Sequence, residues 1–174
     1  MSQYYNSQRT RGIYAPDSGE PFKLSRSKID LFLQCPRCFY LDRRQGISRP
    51  SGFPFNLNSA VDTLLKKDED ITELNKEWQD GYKRQMEVYQ WLLRQKRYKV
   101  SDTGYFVYCN GKRDRKAFDG RLEFDVTLIP YTGKDSWVEK TIFEAHKCLK
   151  SEKIPTANPE CIYCSNIELV NSKN

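Results

Sequence analysis

Leu24-Ser25-Arg26-Ser27-Lys28-Ile29-Asp30-Leu31-Phe32-Leu33-Gln34-Cys35-Pro36-Arg37-Cys38-Phe39-Tyr40 is the stretch on which the fold turns. Ser27 is placed to cap a helix, with Asp30 three residues later as its reciprocal partner. Ile29, Phe32 and Leu33 follow as an apolar stripe at helical spacing. Pro36 restricts the backbone between the cysteines, and Phe39 to Arg44 reads as a second short helical stretch that Gly46 ends. Cys35-x-x-Cys38 directs two thiolates at one ion from a single turn of backbone.

One such pair is weak evidence, but Cys161-Ile162-Tyr163-Cys164 repeats it at the far end of the chain. Two pairs among six cysteines make a four-cysteine metal site the best reading, with Cys35, Cys38, Cys161 and Cys164 as ligands. Four thiolates suit a 4Fe-4S cluster or tetrahedral zinc, and spacing alone does not choose. Ligands drawn from both ends require a fold that joins those ends, so the metal acts as a clamp and contributes folding free energy. Cys109, in a strand, and Cys148, on an apolar helix face, read as core residues.

The bulk composition frames this site. A chain of 174 residues with 38% apolar and 13% aromatic residues fits one domain with an ordinary core. No run of about 18 apolar residues occurs, so no membrane-spanning helix is expected. Met1 to Arg11 lacks a secretory-type apolar segment, so the cytoplasm is the expected compartment, where paired thiols are metal ligands more often than disulfides. A net charge of +6 favours an anionic partner such as DNA.

Outward from the first cysteine pair, Arg49 to Asn58 reads as a loop anchored by Phe53 and Phe55. Ser59 to Lys67 reads as a helix with Val61, Leu64 and Leu65 on one face, followed by a solvated charge run. Trp78 to Arg97 is the strongest helix, with Tyr82, Met86, Tyr89, Leu92 and Leu93 at spacings of three and four. Gly104–Cys109 and Leu122–Ile129 read as antiparallel strands, the first ending at an Asn110-Gly111 turn, with an exposed basic loop between them. Trp137 to Leu149 is the last helix, turning Trp137, Ile142, Ala145 and Leu149 toward the core. Arg37, Arg43, Arg44 and Arg49 beside the first cysteine pair, and Lys112, Arg113, Arg115 and Lys116 in the basic loop, are the candidate nucleic-acid contacts.

The order Leu24-Ser25-x-Ser27-x-Ile29, Cys35-Pro36-x-Cys38-Phe39-Tyr40, Gln85-x-x-x-Tyr89 and a closing cysteine pair resembles the PD-(D/E)XK nucleases of the RecB type. These include the CRISPR-associated exonucleases with a four-cysteine iron-sulfur cluster. The resemblance implies an α/β fold, a restriction-endonuclease-like core with a small mixed sheet flanked by helices. It further implies DNA cleavage at a magnesium or manganese ion held by an Asp and an (Asp/Glu)-x-Lys on adjacent strands. Gln85 and Tyr89 match the family's helix motif, and Asp62 is the best counterpart of its helix histidine.

The sequence departs from the family at the centre. From Lys66 to Glu77 it is overwhelmingly polar, with no strand-length apolar run, so the strands that carry the catalytic acids are expected to be missing. Asp114-Arg115-Lys116, in the basic loop, has no strand leading into it. The expectation is a shortened, catalytically impaired homologue spanning 24–168 as one domain between polar tails at 1–23 and 169–174. Gln85, Tyr89 and Asp62 would be remnants of a site. The alternatives are a non-enzymatic, metal-stabilised nucleic-acid-binding module and an inactive fragment, the latter leaving unpaired sheet edges and bare apolar faces.

Overall fold

A computed structural model of the chain describes residues 9–50, 71–112 and 123–165. Asp62, Arg113, Arg115, Lys116 and the helix expected over 59–67 lie outside the described residues. The elements are helices α1 (Arg26–Gln34) and α2 (Pro36–Arg44), a 3-10 turn (Glu77–Gln79) leading into α3 (Asp80–Gln95), strands β1 (Thr103–Gly111) and β2 (Phe124–Thr132), and α4 (Ser136–Lys150). They fall into two compact units, one formed by the chain up to Ser51 with the chain from Ser136 onward, the other by Gly52–Asp135. No helix among the described residues is long and apolar enough to cross a membrane.

The first unit is built on α1, α2 and α4. The cap of α1 is Ser25 and not Ser27, and its hydroxyl bonds to that of Ser27 at 3.0 Å without capping a backbone N–H. Asp30 pairs with Arg26, one turn earlier on the same helix. The second helix starts three residues earlier than expected. Pro36 occupies its first turn, where a fixed φ is preorganised and a missing N–H costs nothing.

Tyr14, Phe39, Ala145 and Leu149 form the buried core of this unit, with Phe22, Leu24, Leu31, Phe32 and Cys148 packed around it. On α4 the buried face is Val138, Thr141, Ala145 and Leu149, so Trp137 and Ile142 flank it instead of leading it. Residues 9–23, expected as a mobile tail, are docked from Arg9 onward. The Arg9 N–H donates to Gly46 O at 3.1 Å and the Tyr14 N–H to Arg43 O at 2.7 Å. Gly46 ends α2 as expected, at φ 73°, and a Cβ there would stand 2.4 Å from the Arg9 carbonyl, so only glycine fits.

In the second unit β1 and β2 pair antiparallel as expected, with Phe106 opposite Ile129 and Val107 opposite Leu128. Asn110 and Gly111 continue the strand instead of turning it, because the Asn110 side chain is bonded at both ends to the Ile71 backbone at 3.1 Å. Helix α3 buries Glu87, Val88 and Gln90, while Tyr82, Tyr89, Leu92 and Leu93 of the expected apolar stripe are exposed. Polar contacts set this orientation. Glu87 accepts from Tyr131 Oη at 2.6 Å, Gln90 donates to the Ser101 and Asp102 carbonyls, and Arg94 pairs with Asp102 and Asp135 at 2.6 Å.

The hairpin carries apolar side chains on both faces. Phe106, Tyr108, Ile129 and Tyr131 are covered or half-covered, whereas Tyr105, Val107, Val126 and Leu128 are each more than 60% exposed. Cys109 lies on this bare face and is exposed, not the core residue expected.

Candidate metal centre

The geometry of the cysteine pairs follows from local backbone. Cys35 sits in extended conformation between α1 and α2, its N–H bonded to Leu31 O at 2.9 Å, and Cys38 lies in the first turn of α2. Cys161 precedes a turn of helix over 162–165, in which the Cys164 N–H donates to Cys161 O at 3.0 Å. In each pair, therefore, one cysteine precedes a helix and the other follows in its first turn.

The two pairs meet. All four sulfurs lie within 4.8 Å of one another and all four residues are buried. Cys38 Sγ is 3.6 Å from both Cys161 Sγ and Cys164 Sγ, and Cys35 Sγ is 3.7 Å from Cys164 Sγ. Leu31, Ala157 and Tyr163 close over them. The two halves of the unit are also tied nearby by Asn158, whose amide donates to Gln34 O at 2.8 Å, and by Tyr40 Oη, which donates to Ser151 O at 3.1 Å.

The electrostatics of the bare thiols are those of a site built for a cation. Burial works against the Cys161 thiolate, yet the Cys164 backbone N–H and the neighbouring thiols hold it well enough to bring its pKa down to about 6. Burial then raises Cys38 and Cys164, each beside the sulfurs already described. The Cys161 thiolate forms readily, while Cys38 and Cys164 hold their protons more tightly. A cation with thiophilic character replaces those protons and makes four thiolates compatible, which is the chemistry of zinc or of an iron-sulfur cluster. The donor set and its burial fit either group.

The remaining candidate residues are placed differently. Arg43 lies 3.7 Å from Asp42 and over the Phe22 ring, and Arg44 donates to Leu149 O at 2.8 Å beside the Tyr40 ring. Both guanidinium groups thus serve the fold of the first unit. Arg37 is half-buried on α2, and Lys112 pairs with Asp125 at 3.0 Å at the end of the hairpin. On α3 the Gln85 amide donates to Tyr89 Oη at 3.1 Å, so the Q-x-x-x-Y pair forms one hydrogen-bonded unit on a solvent-facing side of the helix. The sheet among the described residues has only β1 and β2, and neither strand holds an (Asp/Glu)-x-Lys.

Asp42 is the residue that sequence reasoning missed. Its carboxylate is 1% exposed and is met by Lys28 at 2.8 Å, Arg9 at 3.3 Å and Arg43 at 3.7 Å, with the Ser48 hydroxyl donating at 2.7 Å. Burial raises its pKa, but the Lys28 and Ser48 hydrogen bonds and the charges of Lys28 and Arg9 outweigh it and hold the carboxyl below the usual carboxylate range. In sequence Asp42 is part of an ordinary charged helix end, and no spacing links it to Arg9 or Lys28.

No protein-family model matches this sequence, and no curated protein or solved structure matches it either.

Proposed function

We propose that this chain is a DNA-binding homologue of the RecB-like PD-(D/E)XK nucleases, clamped by a four-cysteine metal centre and impaired in cutting. The observation that carries the reading is the convergence of the two C-x-x-C pairs, 123 positions apart at Cys38 and Cys161. The resemblance requires that closure, as does any site in which the two pairs share one metal. Gln85 and Tyr89 paired on one helix face, the net positive charge and the absence of the two acid-bearing strands from the sequence support the same reading.

The sulfur spacing bears on the metal. A single ion with bonds of about 2.3 Å in tetrahedral array puts its ligands about 3.8 Å apart, and the closest sulfurs here stand 3.6 and 3.7 Å apart. A cubane cluster binds each thiolate through a different iron and spreads the sulfurs further. The spacing therefore favours zinc over the 4Fe-4S cluster that the resemblance implies. Metal analysis with a visible spectrum on anaerobically purified protein distinguishes them.

Titration of single- and double-stranded DNA at low and rising salt tests the binding. The expected result is measurable affinity that falls steeply with salt, because the contacts are to phosphates. No affinity at low salt refutes it. Robust cleavage with magnesium or manganese that Gln85→Ala or Asp62→Ala abolishes would instead refute the impaired reading. The bare hairpin face at Tyr105, Val107, Val126 and Leu128 favours a second reading, an inactive fragment whose sheet lacks its cover.

A further inference from the structure

Arg49 lies outside both cysteine pairs yet is bound to the centre on three sides. Its Nη2 donates to Cys161 Sγ at 3.6 Å, its Nη1 donates to Gln34 Oε1 at 2.8 Å, and its guanidinium lies 4.5 Å from the centre of the Tyr163 ring. Gln34 directly precedes Cys35, and Tyr163 directly precedes Cys164. One planar cation therefore touches a metal-binding sulfur, the residue that leads into the first ligand and the residue that leads into the last.

We propose that Arg49 is the outer-sphere cation of the four-thiolate centre, a positioning residue that neutralises part of its charge and holds the second C-x-x-C pair against the first. The proposal rests on the metal reading and is independent of any nuclease relationship. Four thiolates around a divalent ion carry a net charge of −2, buried among Leu31, Ala157 and Tyr163. A guanidinium hydrogen-bonded to one sulfur draws charge from it, so that sulfur is a weaker base and a weaker nucleophile. Arginine suits the place better than lysine. Its fork reaches the sulfur and Gln34 Oε1 with separate N–H groups while its flat face stacks on Tyr163.

The experiment uses the full chain loaded with cobalt(II), whose sulfur-to-metal charge-transfer band reports the electron density on the thiolates. Wild type, Arg49→Gln and Arg49→Lys are compared for cobalt affinity by competition with a chelator, for band position, and for the rate of thiol alkylation in the loaded state. Arg49→Gln is expected to lose about 10- to 100-fold in affinity, the usual range for outer-shell partners of a metal site. Its band should shift to lower energy and its sulfurs should alkylate faster. Arg49→Lys should recover part of the band shift, because it keeps the charge and loses the fork.

Unchanged affinity and band in Arg49→Gln overturn the proposal. Weaker affinity with an unmoved band overturns it too, because that is what loss of packing alone would give. A wild-type chain that binds no cobalt removes the metal reading itself and the role of Arg49 with it, and is told apart from the other outcomes before any variant is made.

Discussion

Stripping the ion from the four-cysteine centre should unfold the unit formed by residues 9–50 and 136–165 at temperatures where the loaded protein is stable. The unit holds about 70 described residues, and at about 0.05–0.15 kcal/mol per residue its stability would be about 4–11 kcal/mol. The Cys38–Cys161 link spans 123 positions, and closing a loop of that size costs about 5 kcal/mol of chain entropy. Its main buried apolar cluster among the described residues is small, Tyr14, Phe39, Ala145 and Leu149. A structural zinc ion contributes about 10–16 kcal/mol of apparent binding free energy, enough to offset closure with a margin. Without the ion, that closure cost is set against a stability of the same order. At about 4–8 °C per kcal/mol for a domain of this size, the thermal midpoint should fall by about 20 °C or more. Far-UV circular dichroism on loaded, chelated and reloaded protein measures it, with metal analysis on each sample. A chelated, metal-free sample melting within about 2 °C of the loaded one would refute the clamp.

Asp42→Asn should cost about 3–5 kcal/mol, because it leaves Lys28, Arg9 and Arg43 facing one another around a buried neutral amide. Urea unfolding should show this as a lower midpoint at unchanged slope. Since the folded carboxyl titrates below its unfolded value of about 3.9, its stabilisation is complete above that pH and is lost as pH falls through the lower folded value. The wild type should therefore lose stability below about pH 4 more steeply than Asp42→Asn, and parallel curves would remove Asp42 as the cause. On the hairpin, Val107→Lys or Leu128→Lys should change stability by no more than about 0.5 kcal/mol and improve solubility, while Ile129→Lys on the covered face should unfold the unit. Equal damage from Val107→Lys and Ile129→Lys would mean that the outer face is covered in solution.

What the sequence made legible was short in range. The two C-x-x-C pairs specify their own geometry, since a cysteine before a helix and another in its first turn aim at one point whatever surrounds them. Likewise Gly46 marks the end of α2 and alternation marks β1 and β2 with antiparallel pairing. The expected stripe of α3 failed for a physical reason. Tyr82, Tyr89, Leu92 and Leu93 have helical spacing, but Glu87, Gln90 and Arg94 on the other side find partners in Tyr131, the carbonyls at 101–102, Asp102 and Asp135, and those bonds decide the rotation. Hydrophobic periodicity weighs each helix alone, so it cannot register acceptors supplied from elsewhere in the chain.

The hairpin shows the same limit from the other side. Phe124, Val126 and Leu128 are the residues whose alternation identifies β2, and period-2 alternation ordinarily marks the face that a sheet buries. In the folded unit Ile129 and Tyr131 turn inward and the alternating set turns out. A strand pair apolar on both faces is the pattern of a sheet covered on both sides, and the described residues supply a cover for one. If Val107→Lys and Leu128→Lys leave the fold intact, the hairpin survives without its second cover. In that case the fold of the hairpin rests on its one covered face, the side of Phe106, Ile129 and Tyr131.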